Sequence, residues 1–351
     1  MALNEYRKKI DQLDEKIVRL LNQRAKAAQE IGHLKARDRK GVYVPSRERE
    51  VLRKVKALNK GPLTKDALEA IYREIMSASL TLEKDVQVAY LGPQASFTNL
   101  AAVRRFGSQV GYSPCGNIAE VFRKVEAGDC DYGVVPVENS IEGAVTNTFD
   151  LLADCDLKIC AHTVMEISHN LLSNAPFQSI SKVYSKDQVF GQCRHWLQEH
   201  LPQAEQVDVA STTRAAEIAA REKGSAAIAS LLAGKVYHLN VLRRAIEDSP
   251  HNVTRFLVIA KTDSQPTGED RTSVLFSIRD KVGALHAMLT PFEENKINLT
   301  KIESRPSKKK AWDYLFFVDF EGHHQDAKVK RALKKLDGMC KFLKVLGSYP
   351  R

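Results

Sequence analysis

Two basic side chains near the start of the sequence are spaced so that they can act together. Arg24 and Lys35 lie in a stretch, from Asn4 to about Arg37, whose apolar residues recur with helical spacing. At about 100° per residue, the eleven positions between these cations make close to three turns, so both point from one face of the helix. Two cations on one face predict a site for a dianion with two carboxylates, held by charge-assisted hydrogen bonds.

Arg7 does not easily join these cations within one chain. It precedes Arg24 by seventeen residues, which places it about 100° away around the helix axis. The helix would be about 50 Å long, too long for a small domain's own remaining helices to cover its apolar stripe. We therefore expect a dimer in which the partner chain supplies Arg7. Taken singly, each of these cations is better explained as a solvated charge on a basic helix.

Polar side chains on two further predicted helices suit the same ligand. Ser79 and Glu83 are four residues apart and share a face of the third helix, and Glu48 opens the second helix beside Arg47. Each also has an ordinary explanation on a helix surface. Ser46 and Thr64 are the candidate N-caps of these helices, which run to about residues 58 and 83.

The composition is that of a globular protein. Apolar residues make up 43% and charged residues 27% of the 351 residues, which argues against disorder. No apolar run reaches the roughly 18 residues that span a bilayer, and the first ten residues lack the apolar core of a secretory signal, so we expect a cytoplasmic protein without a membrane partner. The six cysteines form no CxxC pair and no zinc spacing, so we expect reduced thiols and no metal site.

The net charge of +10, from 53 basic and 43 acidic residues, fits nucleic acid, anionic lipid or a small anionic substrate. No helix-turn-helix, RRM or KH signature accompanies it, and the basic residues are interspersed with acidic ones. Nucleic acid is therefore the weakest of the three hypotheses.

The apolar period changes from helical to strand-like at Val86, where a new domain begins. Strands and helices then alternate, which predicts an α/β domain. A polar stretch, residues 263–271, is typical of a linker. The order βαββαβ beyond it predicts a ferredoxin-like domain. The predicted segments are a helical domain at 1–85, the α/β domain at 86–262, the linker at 263–271 and the ferredoxin-like domain at 272–351.

Longer motifs resemble three known families, in one order and over nearly the whole chain. The first eighty-odd residues resemble the all-helical chorismate mutases, through YRKKI (6–10), Arg24, Lys35, PSRER (45–49) and EIMSAS (74–79). The next segment resembles prephenate dehydratases, through YLGP (90–93), VPVENSIEG (135–143), SHNLL (168–172) and NVTRF (252–256). The last resembles ACT regulatory domains, through GAL (283–285) and ESRP (303–306). This order is that of the bifunctional chorismate mutase and prephenate dehydratase family.

The first resemblance implies an intertwined dimer that rearranges chorismate to prephenate without a cofactor. This Claisen rearrangement needs only a held conformer and stabilised charge on the breaking ether. Position 83, often Gln in the family, is Glu here, so a protonated Glu83 is expected at the ether oxygen. The implied catalytic residues are Arg7 of the partner chain, Arg24, Lys35, Glu48, Ser79 and Glu83, with Arg47 as a substrate-binding residue.

The second resemblance implies a two-lobed α/β domain that decarboxylates and dehydrates prephenate. Thr254 is its implied catalytic threonine, which orients or relays a proton to the leaving hydroxyl. Ala95 stands where the family usually has glycine. His169 is expected to hold structure by hydrogen bonds. The implied substrate-binding residues are Ser96, Thr98, Asn139, Ser140, Arg255 and Phe256.

The third resemblance implies feedback inhibition by L-phenylalanine, in a homodimer or higher homo-oligomer. The implied effector-binding residues are Gly283, Ala284 and Leu285, facing Glu303, Ser304 and Arg305 of a neighbouring ACT domain. The alternative is a ligand-binding regulatory protein that uses the same α/β and ACT domains without catalysis. The joint presence of Arg24, Lys35, Glu48 and Thr254 disfavours that alternative, since a pure sensor would not need all four.

Overall fold

The computed structural model describes residues 2–37, 43–278, 282–306 and 314–351. They divide into two compact units. One, here called the helical unit, contains Met1–Gln87 together with Arg105–Gly111. The other, here called the sheet unit, contains Val88–Arg104 and Tyr112–Arg351.

The helical unit contains α1 (Ala2–Arg37), α2 (Pro45–Leu58) and α3 (Lys65–Glu83). The predicted start of α3 is confirmed, because the Thr64 hydroxyl accepts a hydrogen bond from the backbone N–H of Ala67 at 3.1 Å. The predicted cap of α2 is wrong. That helix begins two residues earlier, because the fixed backbone angle of Pro45 suits the first helical position, so Val44 is the cap and Ser46 already lies inside the helix.

One face of α1 is exposed in the single chain. Leu3, Ile10 and Ile17 on this helix keep 64%, 56% and 51% of their surface exposed. A row of large apolar side chains in water is unfavourable unless another surface covers it. This face therefore favours the expected dimer, which stays a prediction for the single chain.

The sheet unit holds the other elements, except for a few of their end residues. Its strands are β1 (Gln87–Leu91), β2 (Gly111–Cys115), β3 (Tyr132–Asn139), β4 (Gly143–Ala144), β5 (Lys158–Glu166), β6 (Asn170–Ser173), β7 (Lys182–Ser185), β8 (Glu205–Asp208), β9 (Ser225–Ala229), β10 (Asn240–Arg243), β11 (Val253–Ala260), β12 (Asp270–Ser277), β13 (Leu299–Pro306), β14 (Tyr314–Glu321) and β15 (Phe342–Pro350). Its helices are α4 (Phe97–Phe106), α5 (Ile118–Ala127), α6 (Thr146–Asp154), α7 (Asp187–Gln192), α8 (Arg194–His200), α9 (Thr212–Ala219), α10 (Leu231–Val236), α11 (Ala284–Glu294) and α12 (Ala327–Asp337). The first residues of β1 and β2 and the last two residues of α4 belong to the helical unit.

The predicted two-lobed α/β domain is confirmed. One lobe has a sheet in the order β2-β1-β3-β11-β5, with β4 beside β3, and the other has the order β10-β6-β9-β7-β8. Strands β3 and β11 are antiparallel, so the end of β3 lies opposite the start of β11. The apolar pattern of the sequence predicts six strands of this domain, at 86–91, 132–137, 158–167, 182–185, 226–229 and 255–261. It does not predict β2, β4, β6, β8 and β10, because these strands of two to five residues give too short an apolar pattern, and β2 also contains Pro114.

The ferredoxin-like domain is also confirmed. Strands β12 to β15 form an antiparallel sheet in the order β13-β14-β12-β15, with α11 and α12 as the two helices of the βαββαβ order. Strand β12 begins at Asp270, inside the segment predicted as a linker.

This C-terminal domain shares an apolar core with the first α/β sheet. Ile159 and Leu257 of that sheet belong to one buried cluster with Phe317 and Leu346 of the C-terminal domain. The ring of Phe149 lies edge-on to that of Phe317, with ring centroids 4.6 Å apart. The two domains therefore share one continuous buried apolar core.

The described residues include no helix that is both long and apolar enough to cross a bilayer. All six cysteines are free, and five of them are buried, as expected for reduced packing residues.

Gly347 of β15 lets this strand approach β5. Its φ is +151°, and a Cβ there would overlap the backbone oxygen of Ile159. We expect Gly347→Ala to lower the free energy of unfolding by about 1 to 3 kcal/mol, because a backbone atom cannot move aside as a side chain can. Scanning calorimetry of the purified protein measures this loss.

Gly338 is the matched control. It has a helical φ of −66°, and its nearest neighbouring atom would be 3.7 Å from a new Cβ. Gly338→Ala should leave the unfolding temperature unchanged or slightly higher. Equal unfolding temperatures for both variants would contradict the close approach.

Candidate active sites and effector surface

The helical unit contains a cavity of about 470 Å³ between α1, α2 and α3, here called the cation cavity. It brings together six of the predicted residues. These are Arg24, Lys35, Arg47, Glu48, Ser79 and Glu83. Arg7 is exposed and does not line this cavity, in keeping with the expectation that a partner chain must supply it.

Arg24 and Lys35 both point into this cavity from α1, as the helix geometry predicted. The Arg24 guanidinium donates to the Ser79 hydroxyl at 2.6 Å, and Ser79 in turn donates to the carbonyl of Ile75 at 2.8 Å. Lys35 forms an ion pair with Glu83 at 3.0 Å. The α3 side chains therefore hold both cations in place before any ligand arrives.

Glu83 accepts a hydrogen bond in this arrangement, since the Lys35 ammonium has only donors to offer. The expected role of Glu83 as a donor to an ether oxygen requires a proton on this carboxyl and a lysine that has turned to the ligand. That role stays a prediction.

Glu48 has partners that the sequence did not reveal. Its carboxylate accepts a hydrogen bond from the Tyr43 hydroxyl at 2.9 Å and lies 3.2 Å from the Arg105 guanidinium. Arg47 is exposed and is paired with Glu50 at 2.6 Å. Hydrogen bonds from Lys54 and from Arg47 lower the pKa of Glu50 to about 2.

In the sheet unit, Thr254 at the start of β11 faces Asn139 at the end of β3. The Asn139 amide donates to the Thr254 hydroxyl oxygen at 2.8 Å. Because this bond uses a lone pair of the oxygen, the hydroxyl proton of Thr254 remains available for donation to a ligand. Thr254 is 8% exposed, so that proton lies in a site largely shielded from water.

Hydrogen bonds extend this pair into a network that the sequence motifs suggested only in part. The Asn139 side chain also donates to the side-chain oxygen of Asn252 at 2.7 Å, and the Asn252 side chain donates to the side-chain oxygen of Gln192 at 2.9 Å. The Gln192 amide donates to Glu142 at 3.0 Å. We call Thr254, Asn139, Asn252 and Gln192 the threonine site. Gln192 lies at the end of α7, far from the other three in sequence, and belongs to none of the motifs used above.

A second cavity, of about 680 Å³, adjoins this site and is lined by Glu142, Gln192 and Arg194 among others. Its lining includes the cation Arg194 but also the carboxylates of Glu142, Asp187 and Asp248, and Thr254 does not line it.

His169 holds structure, as expected. It is 2% exposed, and its ring donates to the Gln192 carbonyl at 2.8 Å. Burial lowers the pKa of His169, so the ring is neutral at pH 7. A neutral ring that donates through one nitrogen orients Gln192 and thereby the threonine site.

Arg255 faces the side of the sheet opposite to Thr254, because neighbouring strand residues alternate. Its guanidinium forms ion pairs with Glu138 at 3.0 Å and with Asp319 of β14 at 2.6 Å. Burial acts to lower the pKa of Arg255, but Tyr349, Asp319 and Glu138 raise it overall. The structure thus engages Arg255 with carboxylates of the protein and does not bring it to the threonine site.

The other predicted substrate-binding residues have mixed surroundings. Phe256 is buried in the core at 2% exposure. Ser140 is exposed and donates to the carbonyl of His251 at 2.6 Å. Ser96 accepts from the backbone N–H of Asn99 at the start of α4, which is a capping role, and Thr98 is buried on the same helix.

Ala95 occupies a backbone conformation that favours glycine, with a φ of +66°. Its carbonyl accepts from Ser230 at 3.1 Å, and its N–H donates to Asn99 at 3.0 Å. These contacts hold the strained turn despite the extra Cβ.

The predicted effector residues lie on two elements of the C-terminal domain. Gly283 and Leu285, at the start of α11, are exposed, while Ala284 is buried. On β13, Ser304 is exposed, whereas Glu303 and Arg305 point to the other side, where Arg305 pairs with Asp150 of α6 at 2.9 Å. A cavity of about 320 Å³ lies on the same α11 and β13 and is lined by His286, Asn298 and Leu299 among others. None of the six predicted residues lines it.

One group of side chains has the atoms of a metal site. Ligand atoms of Asp263, His323 and His324 lie within 4.8 Å of one another. Both ring nitrogens of His323 are already hydrogen-bonded, to the carbonyl of Ser264 and to the N–H of Gln325. These bonds explain the cluster as a structural one.

Three family models match consecutive segments of the chain: chorismate mutase type II at 6–84, prephenate dehydratase at 88–264 and the ACT domain at 272–338. A protein of Aquifex aeolicus named bifunctional chorismate mutase/prephenate dehydratase is 51% identical, over 99% of this chain and 98% of its own. This chain belongs to that bifunctional family. A relative of the same name from Pseudomonas aeruginosa is 45% identical over the same shares of both chains.

Among solved structures, the prephenate dehydratase of Arthrobacter aurescens in complex with L-Phe is similar to this chain, with a TM-score of 0.71 and 34% identity. The match covers 76% of this chain and 90% of that one. The helical unit is thus a chorismate mutase, and the sheet unit combines a prephenate dehydratase with an ACT domain. The comparisons support an enzyme with both activities, and they do not support the alternative of a regulator without catalysis.

Gly32 positions the mutase helices. A Cβ at this α1 position would lie 2.8 Å from Cγ and 2.9 Å from Cβ of Glu83. In an open helix, Gly→Ala adds stability, about 1 kcal/mol. Here we expect Gly32→Ala to displace Glu83 and Lys35 and to lower mutase kcat/KM about tenfold or more, since a misplacement of about 1 Å has such effects.

The measurement is chorismate consumption, with dehydratase activity on added prephenate as the internal control. Gly61, in the turn after α2, has open space around it, so Gly61→Ala is the matched variant and should retain mutase activity. Full mutase activity in Gly32→Ala would mean that Glu83 is not held against α1.

Proposed function

We propose that chorismate is rearranged in the cation cavity and that prephenate is dehydrated at the threonine site, so that the two reactions use separate residues. The assignment of the mutase reaction rests on one observation. Five of the residues expected to be catalytic line the same cavity, namely Arg24, Lys35, Glu48, Ser79 and Glu83. Free buried cysteines and the substrates of such an enzyme fit a cytoplasmic location.

The mutase chemistry needs a folded substrate and charge stabilisation. Arg24 and Lys35 bind carboxylate and ether oxygens, and Glu48 accepts the hydrogen bond of the ring hydroxyl. As the ether bond breaks, partial negative charge grows on its oxygen, and the Lys35 ammonium with a protonated Glu83 stabilises it. Arg24 is held by Ser79 before binding, whereas Lys35 has to turn from Glu83 to the ligand.

Arg7 completes this site from a second copy of the chain. Along a straight helix, the seventeen residues between Arg7 and Arg24 span about 25 Å, too far for both to contact one small ligand. The exposed apolar face of α1 supplies the surface for that second copy.

We expect Arg7→Ala and Arg24→Ala each to abolish mutase activity, because each removes a cation from every site. Mixed dimers of the two variants should regain up to about a quarter to a half of the activity, depending on how subunits combine, since one of the two sites then has both arginines. Chorismate turnover after subunit exchange tests this. Inactive mixtures, with exchange verified by mass spectrometry, would refute the shared site.

Dehydration removes the ring hydroxyl and a carboxylate in one aromatisation. The C–C bond between the ring and the carboxylate breaks, its electrons enter the ring, and the carboxylate leaves as CO2. The hydroxyl leaves as water once it takes a proton. We expect Thr254 to donate or relay that proton, and the hydrogen bond that the Asn139 amide donates to its oxygen supports this role.

Removal of this hydroxyl should affect one reaction only. We expect Thr254→Ala to lower dehydratase kcat about a hundredfold or more while mutase activity is retained, and Thr254→Ser to keep most of both. Parallel assays with chorismate and with prephenate measure the two steps. A parallel loss of both activities in folded Thr254→Ala would contradict separate sites.

We propose L-phenylalanine as the effector, bound where the start of α11 meets the exposed face of β13 of a neighbouring ACT domain. The Arthrobacter structure holds L-Phe, and the exposed Ser304 and Leu285 offer a polar and an apolar group. Inhibition requires tighter binding of phenylalanine to the less active state, by a coupling of about 1 to 3 kcal/mol.

Ser304→Ala should therefore raise the phenylalanine concentration needed for half-inhibition about tenfold, with dehydratase activity unchanged in its absence. Ser179→Ala, an exposed serine outside the ACT domain, is the control. Inhibition curves of prephenate turnover compare the two. If both variants matched the parent chain, the effector would bind elsewhere.

A further inference from the structure

The mutase site includes residues from outside the segment that matches the mutase family. That segment ends at residue 84, yet residues 105–111, which fall within the dehydratase match, belong to the helical unit. Arg105 and Phe106, the last residues of α4, line the cation cavity. We propose that Arg105 is a positioning residue of the mutase reaction, which acts by holding Glu48.

Arg105, Tyr43 and Glu48 contact one another in the wall of the cavity. The Arg105 guanidinium lies 3.2 Å from the Glu48 carboxylate and donates to the Tyr43 hydroxyl at 2.5 Å. The Tyr43 hydroxyl donates to the same carboxylate at 2.9 Å. Glu48 is thus held by two donors, one of them charged.

The surroundings keep this arrangement in place. The side chains of Arg105 and Glu48 are 23% and 13% exposed, so water screens their attraction only in part. The ring of Phe106 lies 4.7 Å from that of Tyr43, and Arg105 lies over the face of the same ring at 5.7 Å. Tyr43 is buried by these contacts.

The rest of the segment is fixed to α3. Ser108 donates to Glu74 through its N–H at 3.1 Å and its hydroxyl at 2.5 Å, and the Gln109 N–H donates to Ser77 at 3.1 Å. Gly107 permits the close approach, since a Cβ there would lie 2.5 Å from the Ser77 side chain. Arg105 therefore reaches Glu48 from a rigid base on the helix that also carries Ser79 and Glu83.

The charges in the cavity explain why Glu48 needs such a partner. Arg24 and Lys35 face the same space, and a mobile carboxylate would be attracted to them. Glu48 would then neutralise the cations that have to bind the substrate. Arg105 and Tyr43 hold the carboxylate in place, and its remaining lone pairs can accept the substrate hydroxyl.

This inference rests on the proposed role of Glu48, and the experiment separates the two. Full-length Arg105→Ala, Arg105→Lys and the control Arg104→Ala are compared; Arg104 is the exposed neighbour with the same charge. We expect mutase kcat/KM to fall about ten- to a hundredfold in Arg105→Ala, to recover in part in Arg105→Lys and to be unchanged in Arg104→Ala. Dehydratase activity on prephenate should be retained in all three.

A double variant distinguishes positioning from a general structural effect. In Glu48→Gln, where the carboxylate is already lost, adding Arg105→Ala should cost no more than about twofold in mutase kcat/KM. A full further loss in the double variant, or an unchanged rate in Arg105→Ala while Glu48→Gln is impaired, would overturn the inference and leave the proposed function intact. Wild-type mutase kinetics in Glu48→Gln would instead overturn the role of Glu48 itself, and the inference with it.

Discussion

A buried guanidinium determines how the sheet unit is held together. Arg255 is 9% exposed, and a charge at that depth has to be neutralised and hydrogen-bonded by the protein. Glu138 on the neighbouring strand and Asp319 of the ACT domain do this from two directions. Thr254 and Asn139 are the next residues of the same two strands and face the other side. The ion pairs on one face therefore fix the strand positions that create the threonine site on the other.

The same alternation organises the strand that carries the predicted effector residues. On β13, Lys301 forms an ion pair with Glu138 and Arg305 one with Asp150, whereas Ser304 faces outward. A ligand on the outer face thus binds a strand whose inner face contacts the dehydratase. The ion pair between Lys301 and Glu138 links β13 directly to the strand that ends in Asn139.

Local patterns predicted what depends on local geometry. The angle between Arg24 and Lys35 on a helix and the cap at Thr64 follow from a few residues, and the structure confirms both placements. The alternation of strand residues also implies that Thr254 and Arg255 face opposite sides of the sheet. The family motif assigns both residues to the dehydratase site, because it takes no account of this alternation. Arg105 could not be predicted, because its contact with Glu48 joins residues 57 positions apart through tertiary packing.

The shared core of the dehydratase and ACT domains also bears on biosynthesis of the chain. The cluster that contains Ala89 is completed by Leu346 and Tyr349. The helical unit needs residues only up to 111, so it can be complete early in translation. The dehydratase sheet is complete only at Ala260, and it then keeps apolar surface uncovered for the roughly 5 to 18 seconds in which a ribosome adds the last residues at about 5 to 20 per second. During that interval the nascent chain is the form most exposed to aggregation and most dependent on chaperones.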